Sequence, residues 1–332
     1  MLLSDMIVTF SWNVFIPLTT ACRNRCHYCG FRSDNPELMG ISEVKELLNK
    51  AKNASEALFT FGEKADEVKG VRERLKSMGF SDFVDYVVEM NRLAISKSKL
   101  PHTNAGILSY SELKRLKPYN ASMGLMLEQA VELDCHSESP GKKPEVRIKT
   151  IKDAGKLKIP FTTGILVGIG ESFYDDLYSL EVIAELHKNY EHIQECIIQN
   201  FKPKKGTPME RMESPSADRM LKIVKEAREI LPDDITIQIP PNLVRDILPF
   251  IKAGAGDLGG ISDTTIDYIN PEEPWPSIEE IERCLNGAYV LRERLPIYPR
   301  YIKMEWGGEE VSELISRMSD DEGYRKDGYR GS

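Results

Sequence analysis

The amino-acid sequence predicts an α/β protein with the (β/α)8 architecture of TIM-type barrels. Eight short apolar segments alternate with amphipathic helical segments, and this alternation indicates a parallel sheet covered by helices. The apolar segments are nearly continuous, as expected for strands that are buried on both faces. Eight such units fit within about 280 of the 332 residues, which favours a closed barrel over an open doubly wound sheet.

The strands can be placed in order from their apolar residues and from the turn residues that bound them. They are NVFIPLT (13–19), EALFTFG (56–62), PHTNAGIL (101–108), ASMGLML (121–127), FTTGILVG (161–168), CIIQNF (196–201), TIQIP (236–240) and DLGGIS (257–262). In barrels of this class the functional residues follow the C-terminal ends of the strands. Each polar motif is therefore judged by whether it follows a strand.

The intervening helices carry their own start signals. SEVKELLNKAKN (42–53) begins at Ser42, a residue type that often caps a helix N-terminus. ADRMLKIVKEAREIL (217–231) is amphipathic, and SIEEIERCLNGAYVLRERL opens with Ser277 and an acidic first turn. No linker interrupts the pattern, so residues 1–310 are expected to form one domain and the charged tail 311–332 is expected to be loose.

Composition and charge restrict the function classes. The formal net charge of −8 argues against a nucleic-acid partner, because phosphate binding requires a concentrated basic face. No apolar run approaches the roughly 18 residues of a membrane span, and the N-terminus lacks the pattern of a signal peptide. We therefore expect no membrane partner and a cytoplasmic location, where closely spaced cysteines are more often metal-binding or catalytic than disulfide-bonded.

Three closely spaced cysteines in TTACRNRCHYCGF directly follow the first predicted strand. They are Cys22, Cys26 and Cys29. Zinc is one candidate, with His27 or a distant residue as the fourth ligand, although structural zinc sites usually combine two matched pairs of ligands. An iron–sulfur cluster is the favoured candidate, because three thiolates would leave one iron of a 4Fe–4S cube with an open coordination position.

The three other cysteines are isolated in the sequence. Cys196 begins an apolar run and Cys284 lies in a helical pattern, so both are expected to be small buried side chains. Cys135 follows the fourth strand. It is a weaker candidate for a position near the site.

The spacing C-x3-C-x2-C, with the aromatic Tyr28 before the last cysteine, resembles the signature of radical S-adenosylmethionine (SAM) enzymes. Within that superfamily the chain resembles subunit 1 of the 7,8-didemethyl-8-hydroxy-5-deazariboflavin (FO) synthases. The resemblance extends over most of the chain, through FTFGEKAD, LPHTNAGILS, SPGKKPEVRIKTIKDAGKLKIPFTTGILVGIGES, IQNFKPKKGTPM, IQIPPNL and GAGDLGGISDTTIDYINPEEPWP.

The resemblance implies both cofactors and chemistry. It implies a 4Fe–4S cluster whose open iron binds SAM, and an adenosyl radical that forms when the cluster cleaves SAM. It implies as substrate the adduct 5-amino-5-(4-hydroxybenzyl)-6-(D-ribitylimino)-5,6-dihydrouracil, which subunit 2 makes from tyrosine. Ring closure with loss of ammonia would give the deazaflavin, and a low-potential donor would supply the electron. The alternatives are a related enzyme similar to HydE or to subunit 2 with another substrate, and a non-enzymatic iron–sulfur electron carrier.

The resemblance also assigns SAM contacts. Gly62 and Glu63, after strand 2, match the segment that binds the methionine amino group through backbone carbonyls. Glu128, after strand 4, matches a carboxylate that accepts the two ribose hydroxyls, and Arg147 matches an arginine that pairs with the methionine carboxylate. GILVGIGES resembles a dinucleotide fingerprint but lacks its third glycine. Gly168 is instead expected to let the backbone approach the adenine.

Polar residues on otherwise apolar strands are candidates for substrate contact, because buried polar groups require partners. His102 and Asn104 lie on strand 3 with alternate spacing, and Gln199 lies on strand 6. Asp263 and Asp267 follow strand 8, where they are candidates for acid–base steps.

Overall fold

The computed structural model describes residues 7–327 and contains the predicted barrel. Within these residues there are nine strands: β1 (Ile7–Ile16), β2 (Glu56–Thr60), β3 (Leu100–Asn104), β4 (Ser122–Gly124), β5 (Phe161–Val167), β6 (Ile193–Asn200), β7 (Thr236–Gln238), β8 (Asp257–Ile261) and β9 (Val290–Glu293). Strands β1 to β8 pair in chain order and all in parallel, and β1 pairs with both β2 and β8 to close the barrel. The predicted fold class is confirmed.

The ninth strand was not predicted. It pairs in parallel with the first half of β1, where Thr9 has Arg292 as one partner and Asp257 of β8 as the other. The second half of β1 pairs with β2. Strand β9 therefore extends the barrel wall at its N-terminal end without interrupting the closure.

The same part of the chain contains eleven α-helices. They are α1 (Ile41–Lys50), α2 (Val71–Ser77), α3 (Phe83–Ser96), α4 (Tyr110–Leu116), α5 (Pro144–Lys156), α6 (Phe173–Tyr190), α7 (Ala217–Ile230), α8 (Leu248–Lys252), α9 (Ile278–Leu285), α10 (Pro299–Lys303) and α11 (Ser312–Met318). None of them is long and apolar enough to cross a membrane.

Two helix boundaries differ from the predictions. Helix α1 begins after Gly40, not after Ser42, because the Glu43 carboxylate accepts a hydrogen bond from the Gly40 N–H and so caps the turn. Helix α9 has the predicted Ser277 cap, but it ends at Asn286 in the left-handed conformation. The residues beyond this stop form β9 and not more helix.

The C-terminal segment packs on the N-terminal end of the barrel. Val311, Leu314 and Met318 are buried in a second apolar cluster, together with Leu100 at the start of β3. The expectation of a loose tail was wrong for residues 311–327, because the apolar face of α11 outweighs the charged composition of the segment. Residues 328–332 lie outside the described part of the chain.

The lumen at that same end is closed by charged side chains. Arg294 donates hydrogen bonds to Asp257 and Glu195, at 2.6 and 3.0 Å. Glu56 accepts a hydrogen bond from Ser11. Burial raises the pKa of Glu195 to about 8. These groups leave the C-terminal end of the barrel as its open side.

Candidate active site

A cavity of about 350 Å³ opens at the C-terminal ends of the strands. It brings together ten of the predicted site residues: Cys22, Cys26, Tyr28, Cys29, Gly62, Glu63, Asn104, Glu128, Arg147 and Gln199. These residues come from segments spread over nearly 180 positions of the chain. Their convergence follows from the closure of the barrel, which places the C-terminal ends of all eight strands around one opening.

The cysteines lie on the long loop between β1 and α1. The Glu63 N–H donates a hydrogen bond to Cys22 Sγ, and the Ser139 hydroxyl donates one to Cys26 Sγ, each at 3.3 Å. The Cys29 N–H donates to the Cys26 carbonyl at 3.1 Å, which closes the turn between the last two cysteines. These donors would stabilise sulfur in its thiolate form.

The electrostatics of the thiols fit a metal cluster. Burial raises the pKa of Cys22 and of Cys26, so in the absence of metal both are neutral at pH 7. A bound cluster would supply the positive charge that deprotonates them. Among residues 7–327, no three Cys, His, Asp or Glu side chains converge around a single ion. A cluster does not require that geometry, because each thiolate would bind a different iron.

Position 62 requires glycine, because the backbone there lies very close to the loop that carries the cysteines. A Cβ at this position would lie 1.9 Å from the Ala21 carbonyl oxygen and 2.8 Å from Cys22 Cβ. The Gly62 N–H also donates to the Thr19 carbonyl at 3.0 Å. The end of β2 thus lies directly against the loop that carries the cysteines, and a side chain at position 62 would displace that loop.

The Glu63 side chain connects three loops around the cavity. Its carboxylate accepts hydrogen bonds from Asn24 Nδ2 at 2.9 Å and from the Ile107 N–H at 3.1 Å. Arg147 lies 3.5 Å away on the other side. A Cβ at Gly141 would lie 1.6 Å from Glu63 Oε1, so the chain at Gly141 lies directly over the carboxylate. This side chain therefore organises the site, and its own oxygens are already engaged.

Glu128 is the other buried carboxylate that lines the cavity. Its backbone is in the left-handed conformation, with φ of 65°, and it bridges to Ile165 of β5. Tyr28 donates its phenolic hydrogen bond to Oε2, and Lys142 pairs with Oε1. Burial alone would raise the pKa of Glu128, but the Lys142 charge and contacts with His136 and Arg147 hold it well below the usual range. Glu128 is therefore an anion at neutral pH.

Arg147 is buried on α5. Its Nε donates to the Met126 carbonyl at 2.6 Å, and its NH1 donates to the Gly141 carbonyl at 3.1 Å. It lies between Glu63 at 3.5 Å and Glu128 at 3.8 Å. The guanidinium is thus fixed in orientation at the wall of the cavity, which suits recognition of a carboxylate.

Three contributors were not found from the sequence. Lys142 lines the cavity from the segment before α5, His136 contacts Glu128 at 3.2 Å, and Asn24 holds Glu63. Lys142 and His136 each end a three-residue 3₁₀ helix, which is too short to show a periodic pattern in the sequence. The sequence offered one signal for Lys142, namely its position in the segment SPGKKPEVR, from which Arg147 was chosen as a candidate for the site.

The structure places only some of the remaining glycine and cysteine candidates where the sequence predicts them. Gly168 has a φ of 97°, but its N–H donates to Glu171 at 2.7 Å and it does not line the cavity. Cys196 is buried as predicted, whereas Cys284 is exposed, so that prediction was wrong. Cys135 is buried beside the cysteine loop, where its carbonyl accepts a hydrogen bond from the His27 N–H at 3.0 Å.

Of the remaining polar candidates, His102 and Asp267 lie deeper in the barrel. His102 contacts Ser122 at 2.7 Å and Asn104 at 3.2 Å, and burial lowers the pKa of His102 to about 4. It lines a second cavity of about 180 Å³ that shares Asn104 and Gln199 with the first. Asp267 also lines this second cavity and accepts the N–H of Asn270 at 3.1 Å, whereas Asp263 pairs with Asn53 on the surface.

Comparisons with known proteins place this site in context. The family described as "Radical SAM superfamily" matches residues 16–183. The chain is 64% identical over 321 residues to a 7,8-didemethyl-8-hydroxy-5-deazariboflavin synthase of Archaeoglobus fulgidus, covering 96% of this chain and 99% of the relative. It is 54% identical over 325 residues to the synthase of the same name from Methanococcoides burtonii, covering 96% and 98%. The crystal structure of methylornithine synthase (PylB) is similar in fold, with a TM-score of 0.63 at 19% identity over 85% of this chain and 81% of that one.

Proposed function

The chain belongs to the radical SAM superfamily and, within it, to the 7,8-didemethyl-8-hydroxy-5-deazariboflavin synthases, and on this premise we propose that it catalyses the ring closure that completes the deazaflavin. The proposed substrate is 5-amino-5-(4-hydroxybenzyl)-6-(D-ribitylimino)-5,6-dihydrouracil. The adduct would form a bond between its ribityl-bearing nitrogen and the phenol ring, lose its 5-amino group as ammonia and give up two electrons, the first of them with the hydrogen atom that is removed. SAM would be the oxidant, because its cleavage to methionine and 5′-deoxyadenosine takes up two electrons. Methionine and 5′-deoxyadenosine would leave as by-products, which makes the enzyme a carbon–nitrogen lyase and cyclase.

The observation that carries the proposal is the composition of the 350 Å³ cavity. Three thiols of the C-x3-C-x2-C motif line the same space as a buried anionic carboxylate and a fixed arginine. A 4Fe–4S cluster and SAM are the cofactors of this family, and when bound they supply the one-electron chemistry that removes the hydrogen atom. The near full-length identity to the synthases supports this substrate over that of a HydE-like enzyme.

The polypeptide would contribute binding, orientation and exclusion of water. We propose that Cys22, Cys26 and Cys29 hold the cluster. Glu128 would accept the ribose hydroxyls of SAM and Arg147 would pair with its carboxylate, because a fixed anion and a fixed guanidinium suit these two groups. Tyr28 and Lys142 would keep the Glu128 carboxylate oriented.

Of the two backbone carbonyls proposed to bind SAM, one is already engaged in a hydrogen bond. The amino group of SAM would bind near Gly62 and Glu63, although the Glu63 carbonyl already accepts the Arg23 N–H at 3.0 Å. That leaves the Gly62 carbonyl as the better candidate of the two. Gly168 would act only by shaping the turn after β5, since its N–H is already engaged by Glu171.

The proposal also includes the cellular context of the reaction. We propose that the enzyme acts in the cytoplasm, receives the adduct from subunit 2 and takes its electron from a low-potential donor. We also propose that His102, Asn104 and Gln199 contact the substrate, because all three line the second cavity.

The direct test is to measure 5′-deoxyadenosine produced by anaerobically reconstituted, reduced protein with and without the adduct. We expect the adduct to raise the yield well above the uncoupled background, with a fluorescent deazaflavin formed in parallel. Cleavage of SAM that does not respond to the adduct would contradict the substrate. A protein with an intact cluster that forms no 5′-deoxyadenosine would favour an electron carrier. The control is Cys26→Ala, which is expected to produce no 5′-deoxyadenosine.

A further inference from the structure

The second cavity occupies the middle of the barrel, below the cavity that holds the cysteines. It has a volume of about 180 Å³ and shares the lining residues Asn104, Gln199 and Asn270 with the outer cavity. No cysteine of the motif lines it. A substrate portion in this inner chamber would therefore lie away from the group that reacts.

Polar atoms without partners face this chamber. Asn13, on β1, is 1% exposed, and neither its Nδ2 nor its Oδ1 has a hydrogen-bond partner within the protein. The buried Nε1 of Trp275, after β8, is also unpartnered. Both side chains line the chamber. Buried polar atoms usually have partners, so these two residues point to a ligand that supplies them.

A glycine next to Asn13 leaves space for the asparagine side chain, although glycine weakens a strand. Gly260 lies beside it on the neighbouring strand β8, and a Cβ at that position would lie 2.0 Å from Asn13 Nδ2. A glycine within a strand weakens the strand and often marks a close approach. The segment DLGGIS thus keeps this part of the lumen open around an amide that no protein group satisfies.

The lining combines donors and acceptors. The Trp275 N–H can only donate, whereas the Asn13 amide can donate and accept. The floor carries Glu195, which accepts a hydrogen bond from Arg294 at 3.0 Å, and Glu56, which accepts the Ser11 hydroxyl. Hydroxyl groups suit such a mixed lining, because each one donates and accepts and can rotate to fit.

From these observations we infer that the inner chamber is the subsite for the polyhydroxylated chain of the substrate, with Asn13 and Trp275 as its specificity-determining contacts. The inference rests on the proposed function, in which that chain is the ribityl arm of the adduct. Its benzyl and pyrimidine rings, where the reaction occurs, would then remain in the outer cavity near the cysteines. The ribityl arm would act as an anchor that fixes the rings relative to the reacting centre.

The inference can be tested by binding, separately from turnover. Isothermal titration would compare 6-ribitylaminouracil with 6-methylaminouracil on the reconstituted wild-type protein and on Asn13→Leu and Trp275→Phe. We expect the wild type to prefer the ribityl compound, Asn13→Leu to weaken that preference about tenfold, and Trp275→Phe to weaken it about threefold. Asn13→Leu should not lower stability, because it removes no hydrogen bond within the protein.

A matched control is Asn91→Leu. Asn91 is a fully buried asparagine outside the cavities, and its amide contacts Thr103 at 3.3 Å. This variant should lose stability and keep the wild-type preference for the ribityl compound. The opposite pattern, with Asn13→Leu destabilised and its ligand preference unchanged, would make Asn13 a structural residue and refute the inference.

The same variants in the turnover assay separate this inference from the proposed function. If the wild type prefers the ribityl compound through Asn13 but forms no deazaflavin from the adduct, the subsite stands and the proposed reaction fails. If deazaflavin forms and the wild type binds both uracils equally, the reaction stands and the chamber is refuted as a polyol site. In that case it holds only water.

Discussion

The ion pair between Lys142 and Glu128 yields the most demanding prediction, because it tests how the site holds a buried charge. The two side chains are 14% and 9% exposed, and Lys142→Met would remove the strongest partner of the carboxylate while keeping the length of the side chain. Breaking a buried pair by removing one partner costs about 3–5 kcal/mol. We expect a loss at the lower end, about 3 kcal/mol, for two reasons.

First, Glu128 keeps other partners in the variant. His136 at 3.2 Å, Arg147 at 3.8 Å and the Tyr28 hydroxyl would still contact it. Second, the substitution relieves the repulsion between the Lys142 and Arg147 charges. The variant should also bind SAM more weakly, if Glu128 accepts the ribose hydroxyls as proposed.

The pH dependence of this loss has a definite sign. The folded-state pKa of Glu128 lies well below that of the unfolded chain, so its contribution to stability is present above about pH 4.3 and is lost as the pH falls through the folded-state pKa. In Lys142→Met the Lys142 charge is gone, so burial raises the folded-state pKa of Glu128 and the carboxylate contributes less to stability. The difference in stability between the two proteins should therefore be largest near pH 7 and decrease in acid.

The assay is urea unfolding of the metal-free protein, followed by circular dichroism from pH 7 to pH 4. Lys149→Met is the matched control, because Lys149 is 69% exposed in its pair with Asp153 and should cost at most about 1 kcal/mol. The double variant Lys142→Met/Glu128→Gln should recover about half of the loss. A loss in Lys142→Met no larger than in the control, or one that grows in acid, would refute the reasoning.

Three further changes test the cysteine loop, the glycine beside it and the buried histidines. Replacing Cys22, Cys26 or Cys29 with alanine should abolish turnover and lower the iron content. Full turnover in any one of these variants would contradict the cluster assignment. Gly62→Ala should cost about 1–3 kcal/mol and lower the iron bound per chain, whereas normal iron content would show that the loop tolerates a Cβ. Burial lowers the pKa values of His102, His187 and His192 to about 3–4. As the pH decreases from about 6.5 to about 4, each of these histidines should therefore lower the stability by about 1.4 kcal/mol per pH unit. Unfolding that does not respond to pH in this range would contradict it.

Much of the fold was predictable because it depends on local patterns. The apolar runs of β2, β5 and β8 lie within two residues of their predicted bounds, since strands buried on both faces carry a continuous apolar signal. Strand β9 and the helix α11 were missed, because VLRE reads as helix and the tail reads as charged. Both owe their structure to packing against the N-terminal end of the barrel.

The sequence by itself determined the barrel and selected the three candidate cluster cysteines, because strand periodicity and a three-cysteine spacing are properties of contiguous residues. Only the tertiary structure decided which polar groups meet. It joined Glu128 to Lys142 and Tyr28, engaged the N–H of Gly168 with Glu171, and left Asn13 without a partner in the lumen. These outcomes depend on the closure of the barrel and on burial, which set the distances and charges that no linear pattern contains.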